Sequence, residues 1–147
     1  MLIGGGIGIT PLLGMLDRHR RCRAPREAWV LYGVRDNRDY IMRTQLETIA
    51  RTHANVHLRV FLFASRHGAM DGPDIQVGHI DLDAMKRLLP SKAYDFYVCG
   101  PPAMMDSVTR DLQAWGVPTD RVHTGGLRSS NGQAGCSWAD RSARLRV

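Results

Sequence analysis

At 147 residues the chain has the length of one ordinary domain, and its 44% hydrophobic and 23% charged content is that of a globular protein with a core of its own. Its three cysteines, Cys22, Cys99 and Cys136, are odd in number and far apart with no C-x-x-C pair, which excludes a disulfide framework and a zinc-spaced cluster and makes a reducing, cytoplasmic setting and no metal site the expectation. The net charge of +6 sits largely in Arg18, Arg20, Arg21, Arg23 and Arg26 and in Arg128, Arg141, Arg144 and Arg146, neither group interleaved with aromatics, so no nucleic-acid partner is expected.

The arginine-rich stretch reads either as a solvated helix end or as a docking surface for an acidic partner. The apolar start, Met1 to Leu16, lacks the basic region and cleavage pattern of a signal peptide. No run approaches the roughly 18 apolar residues of a membrane span, so no membrane partner is expected.

Met1-Leu2-Ile3 reads as the end of a first strand, followed by the turn Gly4-Gly5-Gly6-Ile7-Gly8-Ile9-Thr10-Pro11. Leu12, Leu13, Met15 and Leu16 then recur at helical spacing, with Thr10 as N-cap and Pro11 as the first helical residue, where a missing N–H costs nothing. Trp29 to Val34 is a continuous apolar run, as in a strand covered on both faces. A helix is predicted from about Asp39 to Arg51, with Ile41, Met42, Leu46, Ile49 and Ala50 inward.

Val56 to Phe63 is the third strand, and Ala64 to Gly78 a long loop punctuated by Gly68, Gly72, Pro73 and Gly78. Asp81 or Asp83 caps a short helix through Leu89, which Pro90 ends. Tyr94 to Cys99 is the fourth strand, and Gly100-Pro101-Pro102 turns into a helix carrying Met104, Met105, Val108, Leu112 and Trp115, closed by Gly116. A fifth strand lies near Arg121 to His123. The alternation implies an α/β fold of three αβα layers around a five-stranded parallel sheet, order 3-2-1-4-5, occupying residues 1–124. Residues 125–147, rich in glycine and serine, are expected to form a flexible tail.

Two turns carry the chemistry. A glycine-rich turn between strand and helix lets the backbone approach an anion, and the free N–H groups of the helix start point at it. Gly4 to Thr10 has both features, with the Thr10 hydroxyl as a further donor, although such a loop also occurs as a plain tight turn. It lacks the Gly-Lys-Ser/Thr of a P-loop, and Pro11 stands where a G-x-G-x-x-G fingerprint has its third glycine. The second turn, Cys99-Gly100-Pro101-Pro102, ends strand four, the neighbour of strand one in that sheet order. Connections leaving those two strands in opposite directions open the crevice in which α/β sheets hold ligands. Cys99 there serves either packing or chemistry.

Gly5 to Pro11, then Tyr32-Gly33-Val34-Arg35, then Cys99-Gly100-Pro101-Pro102-Ala103-Met104-Met105, then Gly116-Val117-Pro118 together resemble the NAD(P)-binding domain of the ferredoxin–NADP reductase superfamily, over residues 1 to about 124. The same pattern is similar to that of bacterial NADH-dependent reductases that feed oxygenases. The resemblance implies a domain that presents NAD(P)H for hydride transfer to FAD or FMN on a separate N-terminal flavin-binding barrel, with electrons passing on to an iron-sulfur or oxygenase partner. It places the pyrophosphate and nicotinamide side of the cofactor on Gly5, Gly6, Ile7, Gly8, Thr10 and Pro11. It puts Cys99 beside the nicotinamide on the hydride path as the catalytic candidate, and Gly100, Pro101, Pro102 and Met104 along the cofactor. Arg35 and Asp36 meet the adenosine ribose.

Asp36, where NADPH-using members often carry serine, points to NAD(H) over NADP(H), because a carboxylate accepts from a ribose diol and repels a 2′-phosphate. Arg35 and Arg38 keep NADP(H) open, and Asp36 also reads as a helix-entry residue. The sequence departs from the family pattern in two places. No barrel precedes residue 1, so the chain alone is expected to bind a dinucleotide without turning over. His123-Thr124 runs into Gly125-Gly126 where members have Glu-x-Phe-Gly, and the plant-type cluster cysteines are absent. The alternative is a catalytically incompetent dinucleotide-binding or protein-interaction module.

Overall fold

The structure, a computed structural model, describes residues 1–21, 26–64 and 72–125. Ten elements follow one another: β1 (Leu2–Gly5), α1 (Ile9–Arg21), β2 (Ala28–Val34), α2 (Arg43–Thr52), β3 (Val56–Leu62), β4 (Ile75–Val77), α3 (Leu82–Leu88), β5 (Phe96–Cys99), α4 (Pro102–Ala114) and β6 (Val122–Gly125). Every strand pair is parallel, and the spatial order is β4-β3-β2-β1-β5-β6.

The sheet separates two cores by simple alternation along its strands. From β2, Val30, Tyr32 and Val34 join Leu58, Val60 and Leu62 of β3 against Leu12, Leu13 and Leu16 of α1 and Leu46 and Ile49 of α2. Trp29 and Leu31 go to the other face, with Ile3, Phe61, Phe96 and Val98, where Met85 of α3 and Val108 and Leu112 of α4 cover them. All seven residues of β2 are buried, as a strand covered on both faces requires. The three-layer architecture and parallel sheet therefore follow from the hydrophobic pattern.

The strand count and order do not follow. Six strands replace the expected five, because Ile75–Val77 lies inside the stretch expected to be a loop and pairs outside β3, with Val60 opposite Ile75 and Leu62 opposite Val77. A strand of three residues is too short to display a period, and Val77 is 68% exposed, so it carries no apolar alternation. Main-chain bonds hold it instead: Val60 N–H donates to the Asp74 carbonyl at 2.7 Å and Gly78 N–H to the Leu62 carbonyl at 3.0 Å.

Two helix starts also differ from expectation. A single 3₁₀ turn at Gly6–Gly8 already bends the chain, so α1 begins at Ile9 and Thr10 is its second residue rather than its cap. Pro11 still falls in the first turn, where the helix has no use for its amide. The second helix starts at Arg43, behind a 3₁₀ turn at Asn37–Asp39 and a left-handed Met42 (φ 55°), which leaves Met42 43% exposed rather than inward. Asp81, not Asp83, caps α3, its carboxylate accepting from Ala84 N–H at 2.7 Å. Gly125 closes β6 opposite Cys99, and the rest of the expected tail, residues 126–147, lies outside the described residues, as do Cys22, Arg23 and Cys136.

Candidate functional site: the crevice at the carboxyl edge of the sheet

Strand β1 lies between β2 and β5, and the helices that follow β1 and β5 go to opposite faces of the sheet: α1 packs in one core and α4 in the other. The crevice expected at such a reversal is present. A cleft of about 740 Å³ runs along the carboxyl ends of the strands, floored by Gly5 of β1, Gly33 and Val34 of β2 and Phe61 of β3. That volume is within the range of small-molecule and cofactor sites.

Backbone contact explains the glycines at its deepest point. The turns after β1 and β5 lie against each other without side chains between them. A Cβ on Gly8 would stand 2.3 Å from the Cys99 carbonyl oxygen, and one on Gly5 would stand 2.2 Å from Met104 Sδ. A Cβ on Gly100 would crowd the Gly5 backbone at 3.1 Å. Gly6 has a different reason: its φ of +52° is left-handed, and its Cα faces open space. Its carbonyl accepts a hydrogen bond from the Tyr32 hydroxyl at 3.0 Å.

Of the residues singled out in the sequence, Gly5, Gly6, Ile7, Arg35, Pro101 and Met104 line the cleft. Gly8 and Gly100 stand behind them as the contact between the two turns. Thr10, Pro11 and Pro102 lie in the first turns of α1 and α4, outside the lining. Asp36 does not line the cleft either; its carboxylate accepts from Arg38 N–H at 2.8 Å and so caps the turn that presents Arg38. Cys99 is 2% exposed, and its side chain packs in the α1–α2 core rather than into the cleft. What Cys99 brings to the site is its main chain, against which Gly8 rests.

The structure adds a wall that the sequence reading left out. Phe63, Gly78, His79 and Ile80 line the cleft from the β3–β4 side, with the Phe63 and His79 rings stacked at 5.1 Å. Arg38, Asp39 and Ile41 line it from the turn after β2, and Ala103, Ser107 and Val108 from one stripe of α4. The strand order was the available signal. In a parallel sheet the residue after each strand faces the same edge, so Phe63 after β3 and Gly78 after β4 share the crevice with Arg35 after β2.

The chemistry of the lining is that of a binding cleft. Its lining is largely apolar, with the Gly5–Gly6 turn, two arginines, Arg35 and Arg38, and two aspartates, Asp39 and Asp81, in it. Guanidiniums and main-chain amides suit phosphate, and apolar walls suit flat rings. Beneath the turn, burial pushes the Tyr32 phenol up to about 12, with the Asp39 carboxylate adding to the rise and the Ile41 amide opposing it. The neighbouring Tyr40 phenol is also raised by burial, with Glu47 adding to the rise. Among the described residues no cluster of His, Cys, Asp and Glu could hold a metal ion, and no helix is long and apolar enough to cross a membrane.

Comparison with known proteins gives the family and the fold. Residues 2–110 match the family model of the oxidoreductase NAD-binding domain. Among curated relatives, a flavohemoprotein of Xylella fastidiosa (strain Temecula1) is 27% identical over 123 residues, which cover 84% of this chain. The chain spans only 30% of that relative's length. Among solved structures, the FAD/NAD-binding domain of a nitric oxide dioxygenase from Vibrio cholerae superposes with a TM-score of 0.74 at 21% identity, over 86% of this chain and 49% of that one. A ferredoxin reductase of carbazole 1,9a-dioxygenase superposes with a TM-score of 0.70 at 25% identity, over 86% of this chain and 37% of that one.

Proposed function

The chain belongs to the oxidoreductase NAD-binding domain family, and from that membership we propose that its carboxyl-edge cleft holds NAD(P)H and presents it to a flavin on a separate barrel domain. The observation that carries this reading is the pair of glycine turns closed on each other at the floor of the cleft, with Gly8 against Cys99 and Gly5 against Gly100. Bound NAD(P)H would supply the hydride, FAD or FMN on the barrel would accept it, and an iron-sulfur or oxygenase partner would take the electrons. The longer relatives, of which this chain matches a minor part, support a further domain of that kind.

Each residue then has a task. Gly5, Gly6, Ile7 and Gly8 bring main chain to the pyrophosphate, and Thr10 and Pro11 shape the helix start behind it. Arg35, Asp36 and Arg38 form the ribose end. Pro101, Pro102 and Met104 flank the cofactor, with Gly100 keeping the β5 turn close. Cys99 marks the nicotinamide end, and with its thiol buried it acts by holding the turn in place. A reducing, cytoplasmic compartment fits the cysteine pattern.

We take NADH as the preferred form, since the Asp39 carboxylate lines the ribose end of the cleft and Asp36 caps the turn beside it, so that a 2′-phosphate dianion is disfavoured there. Arg35 and Arg38 favour NADPH as the second reading, because both line that end. Parallel calorimetric titrations decide. NADH is expected to bind at micromolar to millimolar strength, roughly −8 to −4 kcal/mol, with NADPH weaker. Tighter NADPH binding would reverse the preference, and binding of neither would overturn the site. The alternative is a module that binds the dinucleotide without transferring hydride. Reduction of flavin by NADH once the chain is joined to a flavin-binding barrel would dismiss that module.

A further inference from the structure

Among the described residues, Tyr32 approaches with its hydroxyl the carbonyls of two segments that frame the cleft. It rises from the middle of β2 into the α1–α2 core, fully buried, and its hydroxyl lies 3.0 Å from the Gly6 carbonyl and 3.4 Å from the Asp39 carbonyl. Gly6 belongs to the glycine turn and Asp39 to the turn that presents Arg38. Both residues line the cleft. A tyrosine that only packed would need no such placement. Tyr40 supplies the comparison within the same core: its ring meets Tyr32 edge-on at 5.6 Å, and its buried hydroxyl has no hydrogen-bond partner among the described residues.

We infer that the Tyr32 hydroxyl is a positioning group for the dinucleotide, which together with the Ile9 N–H holds the Gly6 carbonyl and so fixes the Gly6–Ile7 peptide plane with the Ile7 N–H facing the cleft. The geometry gives the reason. The backbone carries no cis bond among the described residues, and in a trans peptide the carbonyl and the following N–H point in opposite directions. The Gly6 carbonyl is held down toward Tyr32 in the core, so the Ile7 N–H is held up on the open side, where Ile7 itself is 63% exposed. Gly6, left-handed and without a Cβ, is the residue best able to let that plane turn through its ψ, and within the turn its carbonyl is held by the Ile9 N–H. A hydroxyl anchored in a rigid strand adds a second hydrogen bond to the same carbonyl before the ligand arrives, and preorganisation of this kind raises affinity without adding a contact.

The inference rests on the dinucleotide reading of the cleft, and one set of variants separates the two. In the full 147-residue chain, Tyr32→Phe keeps the ring and removes the hydroxyl, while Tyr40→Phe removes a hydroxyl of similar burial that bonds to nothing described. Affinity is read with NADH and with ADP-ribose, which carries the pyrophosphate and adenosine but no nicotinamide. Amide shifts and hydrogen exchange of Ile7 and Gly8 are read by NMR in the free chain. Tyr32→Phe is expected to weaken both ligands about tenfold and to move the Ile7 amide signal, in a protein whose unfolding transition stays cooperative. Tyr40→Phe is expected to leave ligand affinity and the Ile7 amide where they are. Unchanged affinity in Tyr32→Phe, equal losses in both variants, or a loss confined to NADH would overturn the inference while leaving the site in place. A wild-type chain that binds neither ligand would overturn the dinucleotide reading and this inference with it.

Discussion

Gly8 has no room for a side chain, since even a Cβ would stand 2.3 Å from a main-chain oxygen that cannot move without breaking the β5 turn. Gly8→Val is therefore expected to lower stability by about 1–3 kcal/mol, the cost of forcing extra methyls into a packed site, and to abolish NADH binding. Urea unfolding and calorimetry on one sample check both, and retained affinity in a destabilised variant would separate the glycine from the site. Tyr40→Phe should move stability the other way, by about +1 kcal/mol, because it deletes a buried hydroxyl with no described partner. A fall in the urea midpoint would show that this hydroxyl is bonded after all. Tyr32 adds a pH dependence whose sign is fixed. Its phenol is raised from the ordinary 10 to about 12, so the unfolded chain releases that proton first as the solution becomes alkaline. The stabilisation is complete below pH 10 and is lost as pH rises from 10 through 12. Tyr32→Phe should accordingly flatten the decline in stability across that window, whereas an unaltered slope would assign the decline to other groups.

The elements differ in how plainly the residues announce them. Trp29 to Val34 is legible because a strand buried on both faces must be apolar throughout. α4 is legible because Val108 and Leu112 fall four apart behind a Gly-Pro-Pro turn. β4 is not, since three residues held by main-chain bonds leave no side-chain pattern. The start of α2 was hidden by Met42, a left-handed residue with none of the usual markers of that conformation. The site shows the same division. The glycine turns can be read locally, because only glycine tolerates the contacts they make. The wall formed by Phe63, Gly78 and His79 is visible only once β4 is in the sheet. α3 offers a test at this scale. It is seven residues long and depends on the Asp81 cap, so Asp81→Ala should cost about 1 kcal/mol of stability. Loss of α3 would also shift Ile80 and its cleft wall. A stability change within a few tenths of a kcal/mol would mean that packing of Met85 alone holds the helix.

At the scale of the molecule, the parallel sheet sends the ends of all six strands to one edge, and the reversal between β1 and β5 keeps helices from closing over that edge. The result is a cleft floored by Gly5, Gly33, Val34 and Phe61, largely apolar in its walls, with Arg35 and Arg38 beside Asp39 and Asp81 in its lining. Its form suits a long, flat, anionic molecule. The opposite edge has a groove of its own, lined by Leu2 and Tyr97 and by charges of both signs, Arg18 and Arg26 with Glu27 and Asp95. The two openings make the location of binding a sharp question. Titration of the isotopically labelled chain with NADH, followed by amide NMR, answers it most directly. The expected result is a contiguous set of shifts at Gly5–Gly8, Arg35–Asp39 and Gly100–Met104, with the amino-edge groove unaffected. Shifts centred on Arg18, Arg26 and Tyr97, with the glycine turns silent, would contradict the assignment of the site.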